Sequence, residues 1–486
     1  MTRELIESIV FVVYLAFMLG IGVYFFLKSR RGGEKDYFLG GREMGPWVSA
    51  LSAGASDMSA WVLMGLPASI YAAGIGQAWI AIGLALGYAV SWLVEAPRLR
   101  RFTIEAGDSI TLPQYLTNRF LSKSKALQII CAVIFLVAYT IYAASSMKAC
   151  GTLFNTVIGI DAKVAMYIAA VIIVVYTFLG GFKAVCWTDF FQGMLMLAAL
   201  LIAPIFALFV INSAGSGAEA AAASLPDGYW NLFSSWKDVV SGLGWGLGYF
   251  GMPHIIVRFM SVRSDKDLKK SAKIGITWNV LIIAFSVAAG CIGHMLLGEI
   301  SDNSTVFIQM VRKLFPAVIS GVLLSAILAA SMSTADSQLL ASASAFASDV
   351  YKPVFRKGKA GDKEMFWAGR IVVLVIAVVA VVIASNPNSG TIMGLVENAW
   401  GLFGAAFGPT IMLSLFWKRF NFAGALAGIV VGALTDVLWL VFLGSVGIYE
   451  IIPGCILGLI AAVVVTKLTP APDKAVEALY DRACAR

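Results

Sequence analysis

Residues 49–61 read SALSAGASDMSAW. Small and hydroxyl residues surround one carboxylate, Asp57, in the middle of an apolar stretch covering about 46–71. A second stretch, GLGWGLGYFGMPH at 242–254, carries glycine at 242, 244, 246, 248 and 251, and then Pro253. Glycine and proline both weaken a helix. The other apolar stretches are rich in Leu, Ile, Val and Ala, so these two stand out as helices that break. Unwound backbone at membrane depth is tolerated only where it is buried in protein or lines a cavity.

Working outward from these two stretches, composition sets the class. Apolar residues make up 59% of the 486 and charged ones 13%, against about 25% charged in a soluble domain; the mean hydropathy is +0.85. A bilayer crossing needs roughly 20 mostly apolar residues. Thirteen stretches are candidates, at about 5–28, 46–71, 75–97, 127–150, 163–182, 189–212, 236–258, 274–296, 316–348, 367–385, 391–416, 421–444 and 447–467. The stretch at 316–348 exceeds one straight crossing and is expected to tilt or to continue into the cytoplasm. Glu4 and Glu7 followed by an apolar run without an A-x-A site predict a retained first helix, not a signal peptide.

Charge predicts the orientation. With the N-terminus outside, 30 of the 36 Lys and Arg fall on the inner side, among them Lys28, Arg30, Arg31, Lys35, Arg42, Arg98, Arg100, Arg101, Arg258 and Lys418. That is the positive-inside pattern, and it accounts for the net charge of +8. Spread over loop after loop without an aromatic platform, these charges exclude nucleic acid as the partner. The cysteines, Cys131, Cys150, Cys186, Cys291, Cys455 and Cys484, form no CxxC and no metal-ligand spacing, which argues against metal sites, thiol catalysis and a disulfide framework.

The two unusual spans are the second and the seventh, five apart. Each therefore opens a five-helix unit, 46–212 and 236–416, and a five-helix unit reverses its orientation when it is repeated. An inverted repeat led by discontinuous helices points to a secondary transporter with its site at the midplane. The plainer alternative is that the glycines only permit close helix packing. The first helix at 5–28, two peripheral helices over 421–467 and a cytoplasmic tail at 468–486 complete the predicted single transport domain.

The ninth span contains SAILAASMSTADS at 325–337. A bare sodium ion takes hard oxygen ligands, and hydroxyls at Ser333 and Thr334 facing the unwound carbonyls of the second span would supply them. The ordinary role of such hydroxyls is to bond back to their own helix.

Several long strings now stand in order: YFLGGR at 37–42, SALSAGASDMSAWVLMGLP at 49–67, TFLGGFKAVCWTDFFQ at 177–192, WGLGYFGMPH at 245–254, SAILAASMSTADSQLL at 325–340, AWGLFGAAFGP at 399–409 and YEIIPG at 449–454. Together they resemble the solute:sodium symporter family nearly end to end. The resemblance implies an all-α polytopic membrane protein of about thirteen transmembrane helices with a LeuT-type 5+5 inverted-repeat core. It implies no enzyme activity, no cofactor beyond sodium as the coupling ion, and no obligatory protein partner. The implied function is sodium-coupled import of a small amino acid, L-proline above others, by alternating access across the bacterial inner membrane.

Residue by residue, the resemblance puts sodium between spans two and nine. Ala55, Met58 and Ala330 would offer carbonyls, and Ser333 and Thr334 hydroxyls. Asp57 and Ser59 match coupling positions on the broken helix, and Asp189 a carboxylate near the ion's inward exit. Tyr142, Trp245, Tyr249 and Pro253 match the substrate pocket, where aromatic faces suit an apolar ring and broken-helix ends suit its charged groups. Two residues depart from the family pattern beside that pocket: Ala60 replaces an expected glycine and Met252 an expected glutamine.

Other charges in the spans have plainer readings. Lys148, near the outer end of span four, is expected to snorkel to the interface. Glu397 is expected to pair with a hydroxyl or face the outer vestibule, and Asp436, His254 and His294 are read as structural. The rival functions are a same-fold sodium symporter for another small solute and a proton-coupled carrier. A membrane sensor is set aside because the stretch after Lys467 is short.

Overall fold

A computed structural model describes residues 1–28, 39–179, 181–213 and 217–485. Tyr37 and Phe38 of the first matched string, Gly180 of the third, and the loop charges Arg30, Arg31 and Lys35 lie outside the described residues. Among those described, helices account for the regular structure and the only bridge is an isolated one between Met44 and Val262.

Helix α1 is Arg3–Lys28. The first interrupted helix follows. Its leading half, α2 (Pro46–Asp57), starts with proline at N1, where a missing N–H costs nothing. At Met58 the backbone leaves the helical region (φ −81, ψ 74), and at Ser59 it is extended (φ −66, ψ −171). A short 3₁₀ turn, Ala60–Val62, then leads into α3 (Gly65–Ala73). After it come α4 (Ala78–Val90), a π turn at Ser91–Glu95, α5 (Ala96–Glu105), α6 (Leu112–Arg119), α7 (Ala126–Ile158), α8 (Ala162–Leu179) and α9 (Phe182–Ser213).

The second interrupted helix has three pieces: α10 (Trp236–Gly244), a 3₁₀ segment Trp245–Phe250, and α11 (Pro253–Ser261). Extended Met252 (φ −84, ψ 104) separates the last two. Its glycines serve packing as well as the break. A methyl at Gly83 or Gly246 would run into the backbone of the facing segment, so α4 and the interrupted helix meet backbone to backbone. This stretch is therefore both interrupted and closely packed.

The remaining long helices are α12 (Asp265–Leu297), α13 (Ala317–Ser344, continued by a π segment to Phe355), α14 (Asp362–Ser385), α15 (Ile392–Phe416), α16 (Phe422–Leu438) and α17 (Ile451–Leu468). Ten helices among the described residues are long and apolar enough to cross a membrane. The expected thirteen exceeds this because two candidates are the interrupted helices and a third, α8, offers a shorter apolar stretch, Ala162–Val175.

Interior and exterior are reversed relative to a soluble protein. Val12 (64% exposed), Phe209 (66%), Val382 (66%) and Phe442 (72%) point outward. Asp57, Asp189, Ser333 and Thr334 are all fully buried. An exterior this apolar has bilayer as its solvent. At the centre α2 packs against α9, α11, α12 and α13, while α16 and α17 lie at the edge against α15.

Basic residues of the predicted inner side tie the ends of these helices together. Buried Arg42 donates to Asp108 (2.8 Å), Met260 O (2.6 Å) and Ser109 O (2.8 Å). Arg100 donates to Asp265 (2.7 Å) and Val262 O (2.8 Å). A last helix, α18 (Lys474–Ala485), lies along α5. Its Asp481 meets Lys418 at 2.7 Å and its Tyr480 ring covers the Arg119 guanidinium at 5.1 Å.

Candidate functional site

The first interruption frees backbone oxygens next to α13. In a continuous helix the Ser59 N–H would bond Ala55 O; here it turns to Asp57 O (3.0 Å). The Val62 N–H, which would bond Met58 O, turns to Ser59 O (3.1 Å). Ser333 on α13 reaches the first of these oxygens: its Oγ donates to Ala55 O at 2.8 Å and to Ala330 O at 3.1 Å. The next hydroxyl, Thr334 Oγ1, is buried without a hydrogen-bond partner. Ala55, Ala330 and Ser333 are therefore in direct contact, Thr334 adjoins them, and Met58 stands at the break itself. Carbonyl and hydroxyl oxygens are the donors that a small hard cation takes, and Ser333 brings such oxygens of two helices together.

Asp57 looks the other way, toward the second interruption. Tyr249 OH donates to Asp57 Oδ2 at 2.6 Å, while Oδ1 is buried and unpartnered. The Asp57 carbonyl accepts from Trp61 Nε1 (3.3 Å) and Tyr142 OH (3.4 Å). Ser59 caps the turn, its Oγ accepting from Trp61 N at 3.4 Å. Above Tyr249 the Trp245 ring lies 6.4 Å from Trp61 and 5.1 Å from Tyr449. Trp400 on α15 closes the group, donating Nε1 to Trp245 O (2.8 Å) and meeting the Tyr249 ring edge-on at 5.0 Å. Tyr142 and Tyr249 thus meet at Asp57, and Trp245 joins them through Trp61 and Trp400. Pro253 is placed apart from these contacts, lining a cavity of about 30 Å³ with Arg258, Ser337, Thr111 and Phe182.

With this geometry in view, comparison with known proteins decides the family. The profile of the sodium:solute symporter family matches residues 37–432. The chain belongs to that family. Among its relatives, the high-affinity proline transporter PutP of Bacillus subtilis is 46% identical, covering 94% of this chain and 97% of its own length. The osmoregulated proline transporter OpuE of the same organism is 45% identical, with 96% of each covered. A sodium/proline symporter of Staphylococcus aureus is 44% identical over 96% of this chain and 94% of its own.

Among solved structures, a Na⁺-coupled sialic acid symporter in a substrate-bound outward-open state aligns with TM-score 0.81. It is 22% identical and covers 96% of this chain and 99% of that one. Mhp1, a nucleobase-cation-symport-1 family transporter, aligns with TM-score 0.57 at 15% identity, covering 92% and 98%. At these identities the likeness concerns the fold, which is the LeuT type. The protein is a multi-pass membrane transporter, not an enzyme.

In this symporter the last predicted residue, Asp189 on α9, sits in a buried ion pair. Its Oδ2 accepts from Arg258 Nη2 (3.0 Å) and Ser52 Oγ (2.6 Å). Arg258 also donates to Ser52 Oγ (3.1 Å), His254 O (2.6 Å) and Ser337 Oγ (2.6 Å). The pair bonds α2, α9, α11 and α13 together. Removing one partner of such a pair strands the other charge, at a cost of about 3–5 kcal/mol. Sequence reading missed it because Arg258 was counted with the inner-loop charges. It lies one turn after His254, and that helical spacing was the available signal.

Lys148 is only partly buried and reaches the loop before α15, where it bonds Ser389 Oγ (3.3 Å) and the Gly390 carbonyl. Glu397 is approached instead by Tyr449, whose hydroxyl donates to the Glu397 carbonyl at 2.8 Å.

Proposed function

We propose that the protein imports L-proline together with sodium by alternating access. The observation that carries this reading is the Tyr249–Asp57 hydrogen bond of 2.6 Å, which ties one helix interruption to the other. Sodium binds where Ala55, Met58 and Ala330 offer carbonyls and Ser333 and Thr334 offer hydroxyls. The substrate binds beside Tyr142, Trp245 and Tyr249, and Pro253 marks its way toward the inner side. Asp57 and Ser59 belong to the stretch both ligands bias, and Asp189 guards the inward exit with Arg258. Filling the ion site fixes the backbone of 55–59, and that fixes Asp57 as the acceptor of Tyr249. The 44–46% identity to relatives named as proline transporters supports proline as the substrate.

The repeat units of this reading are 46–212 and 236–416, with 5–28, 421–467 and 468–486 outside them. Basic-residue placement supports a cytoplasmic C-terminus and an external N-terminus in the bacterial inner membrane. Inward sodium movement then supplies about 2.3 kcal/mol per charge per 100 mV of membrane potential, added to the concentration gradient.

The test is competition against labelled proline uptake by unlabelled amino acids, betaines and short carboxylates. Proline is expected to compete best. If proline fails at millimolar levels while another solute succeeds, the substrate assignment falls and the sodium-symport reading stands.

A further inference from the structure

Around Tyr249 lies a set of buried polar atoms that no described residue satisfies. Tyr88 OH, Trp92 Nε1, Asp57 Oδ1 and both amide atoms of Asn279 are buried without a hydrogen-bond partner. They come from four elements: α4, the π turn after it, α2 and α12. The Tyr88 ring meets the Tyr249 ring edge-on at 5.2 Å and the Trp92 ring at 6.2 Å. A methyl placed on Gly275 of α12 would lie 3.2 Å from Tyr88 OH and 3.4 Å from Trp92 Nε1. Asn279 is one turn further along α12 and neighbours the Tyr249 hydroxyl. That hydroxyl is already committed to Asp57 Oδ2.

Single orphaned polar groups are rare in native proteins and each calls for a missing partner. Five such atoms on residues grouped around Tyr249 and its neighbour Tyr88 call for a ligand. Their chemistry is divided. Tyr88 OH, Trp92 Nε1 and Asn279 Nδ2 are donors; Asp57 Oδ1 and Asn279 Oδ1 are acceptors. A carboxylate accepts only, and a secondary ammonium carries two N–H groups. The Trp400 ring packs on Tyr249 and the Tyr142 hydroxyl reaches the Asp57 carbonyl, so aromatic surface for an apolar body adjoins the same two residues.

We infer that this cluster is the head-group subsite for a transported amino-acid zwitterion. Tyr88, Trp92 and Asn279 Nδ2 donate to the substrate carboxylate, and Asp57 Oδ1 and Asn279 Oδ1 accept the ammonium N–H groups. The inference rests on the proposed function in one respect, that the cargo is a small zwitterion. It adds Tyr88, Trp92 and Asn279 as specificity determinants, and it makes Asp57 a direct contact of the cargo.

The test uses matched pairs, each an α-amino acid and its carboxamide: proline with prolinamide, alanine with alaninamide. Binding is read from sodium-dependent protein fluorescence of the purified full-length protein. In the parent, the acid of whichever pair binds beats its amide by about 100-fold, because a site built to hydrogen-bond one group rejects its replacement. Asn279→Leu and the conservative Tyr88→Phe each lower that ratio by about tenfold while half-saturating sodium stays within about twofold. Tyr88→Phe keeps the test decisive if Asn279→Leu does not fold. Binding by alanine and not proline would remove proline as cargo yet support the subsite through the alanine ratio. An unchanged acid-to-amide ratio in both variants, a shift in sodium dependence in place of that ratio, or no amino-acid binding in the parent would overturn the inference.

Discussion

At 57–60 the chain unwinds among serines and a carboxylate, and it leaves carbonyls and hydroxyls facing α13. At 245–252 it unwinds among glycines, and it comes to rest under Trp61, Trp400 and Tyr449. One interruption ends in hard oxygen ligands and the other in aromatic faces. Both use the same device, a helix whose own backbone bonds are given up at mid-membrane. The 2.6 Å bond from Tyr249 to Asp57 is where the two meet.

The comparison is broken most severely at that bond. Asp57→Asn removes the charge and weakens the link between the interruptions, and it is expected to lower sodium-driven uptake by about 100-fold with membrane insertion unchanged. Uptake assays normalised to the amount of protein in the membrane check this. Activity near the parent's would separate the two interruptions functionally.

The comparison is sharpened by variants that touch one side only. Ser333→Ala with Thr334→Ala is expected to raise the half-saturating sodium concentration by about tenfold or more, each lost hydroxyl contributing about 1 kcal/mol. Trp245→Ala is expected to raise the proline concentration for half-maximal uptake by about tenfold, since stacking and burial of ring methylenes contribute about 0.8 kcal/mol per CH₂. Measured together, the first should leave proline affinity at saturating sodium nearly intact, and the second should leave sodium affinity so. Equal shifts in both parameters for either variant would erase the distinction. The smallest effect belongs outside both interruptions. Lys148→Met, which cuts a contact with the 389–390 loop, should keep uptake within about threefold at every pH, as expected for an exposed contact.

Much of this was legible in the sequence. Glycine, proline and hydroxyl residues located both breaks, and loop charges gave a consistent orientation. The proposed hydroxyl ligands Ser333 and Thr334 could be read from the residues themselves, whereas the proposed carbonyl ligands Ala55, Met58 and Ala330 came from resemblance, because a carbonyl leaves no mark on the residue that carries it. Asn279, Tyr88 and Trp92 escaped notice for a different reason. In a helix apolar all round, hydrophobic periodicity does not tell the bundle-facing side from the lipid-facing one. Asn279 did carry a signal, as a lone amide in the apolar run of α12, but its meaning depends on Tyr249 being opposite. Span counting was limited in the same way. An interrupted helix still occupies one apolar stretch of sequence, so counting stretches includes it while counting long continuous helices does not.

The central claim is that a sodium gradient drives proline across the membrane through these two interruptions. The most direct measurement is labelled proline accumulation in proteoliposomes of the purified protein, with membrane potential held equal and the inward gradient being sodium, proton or neither. Accumulation above equilibrium with the sodium gradient alone is the predicted result. Accumulation with a proton gradient in the absence of sodium, or none with sodium, would contradict it.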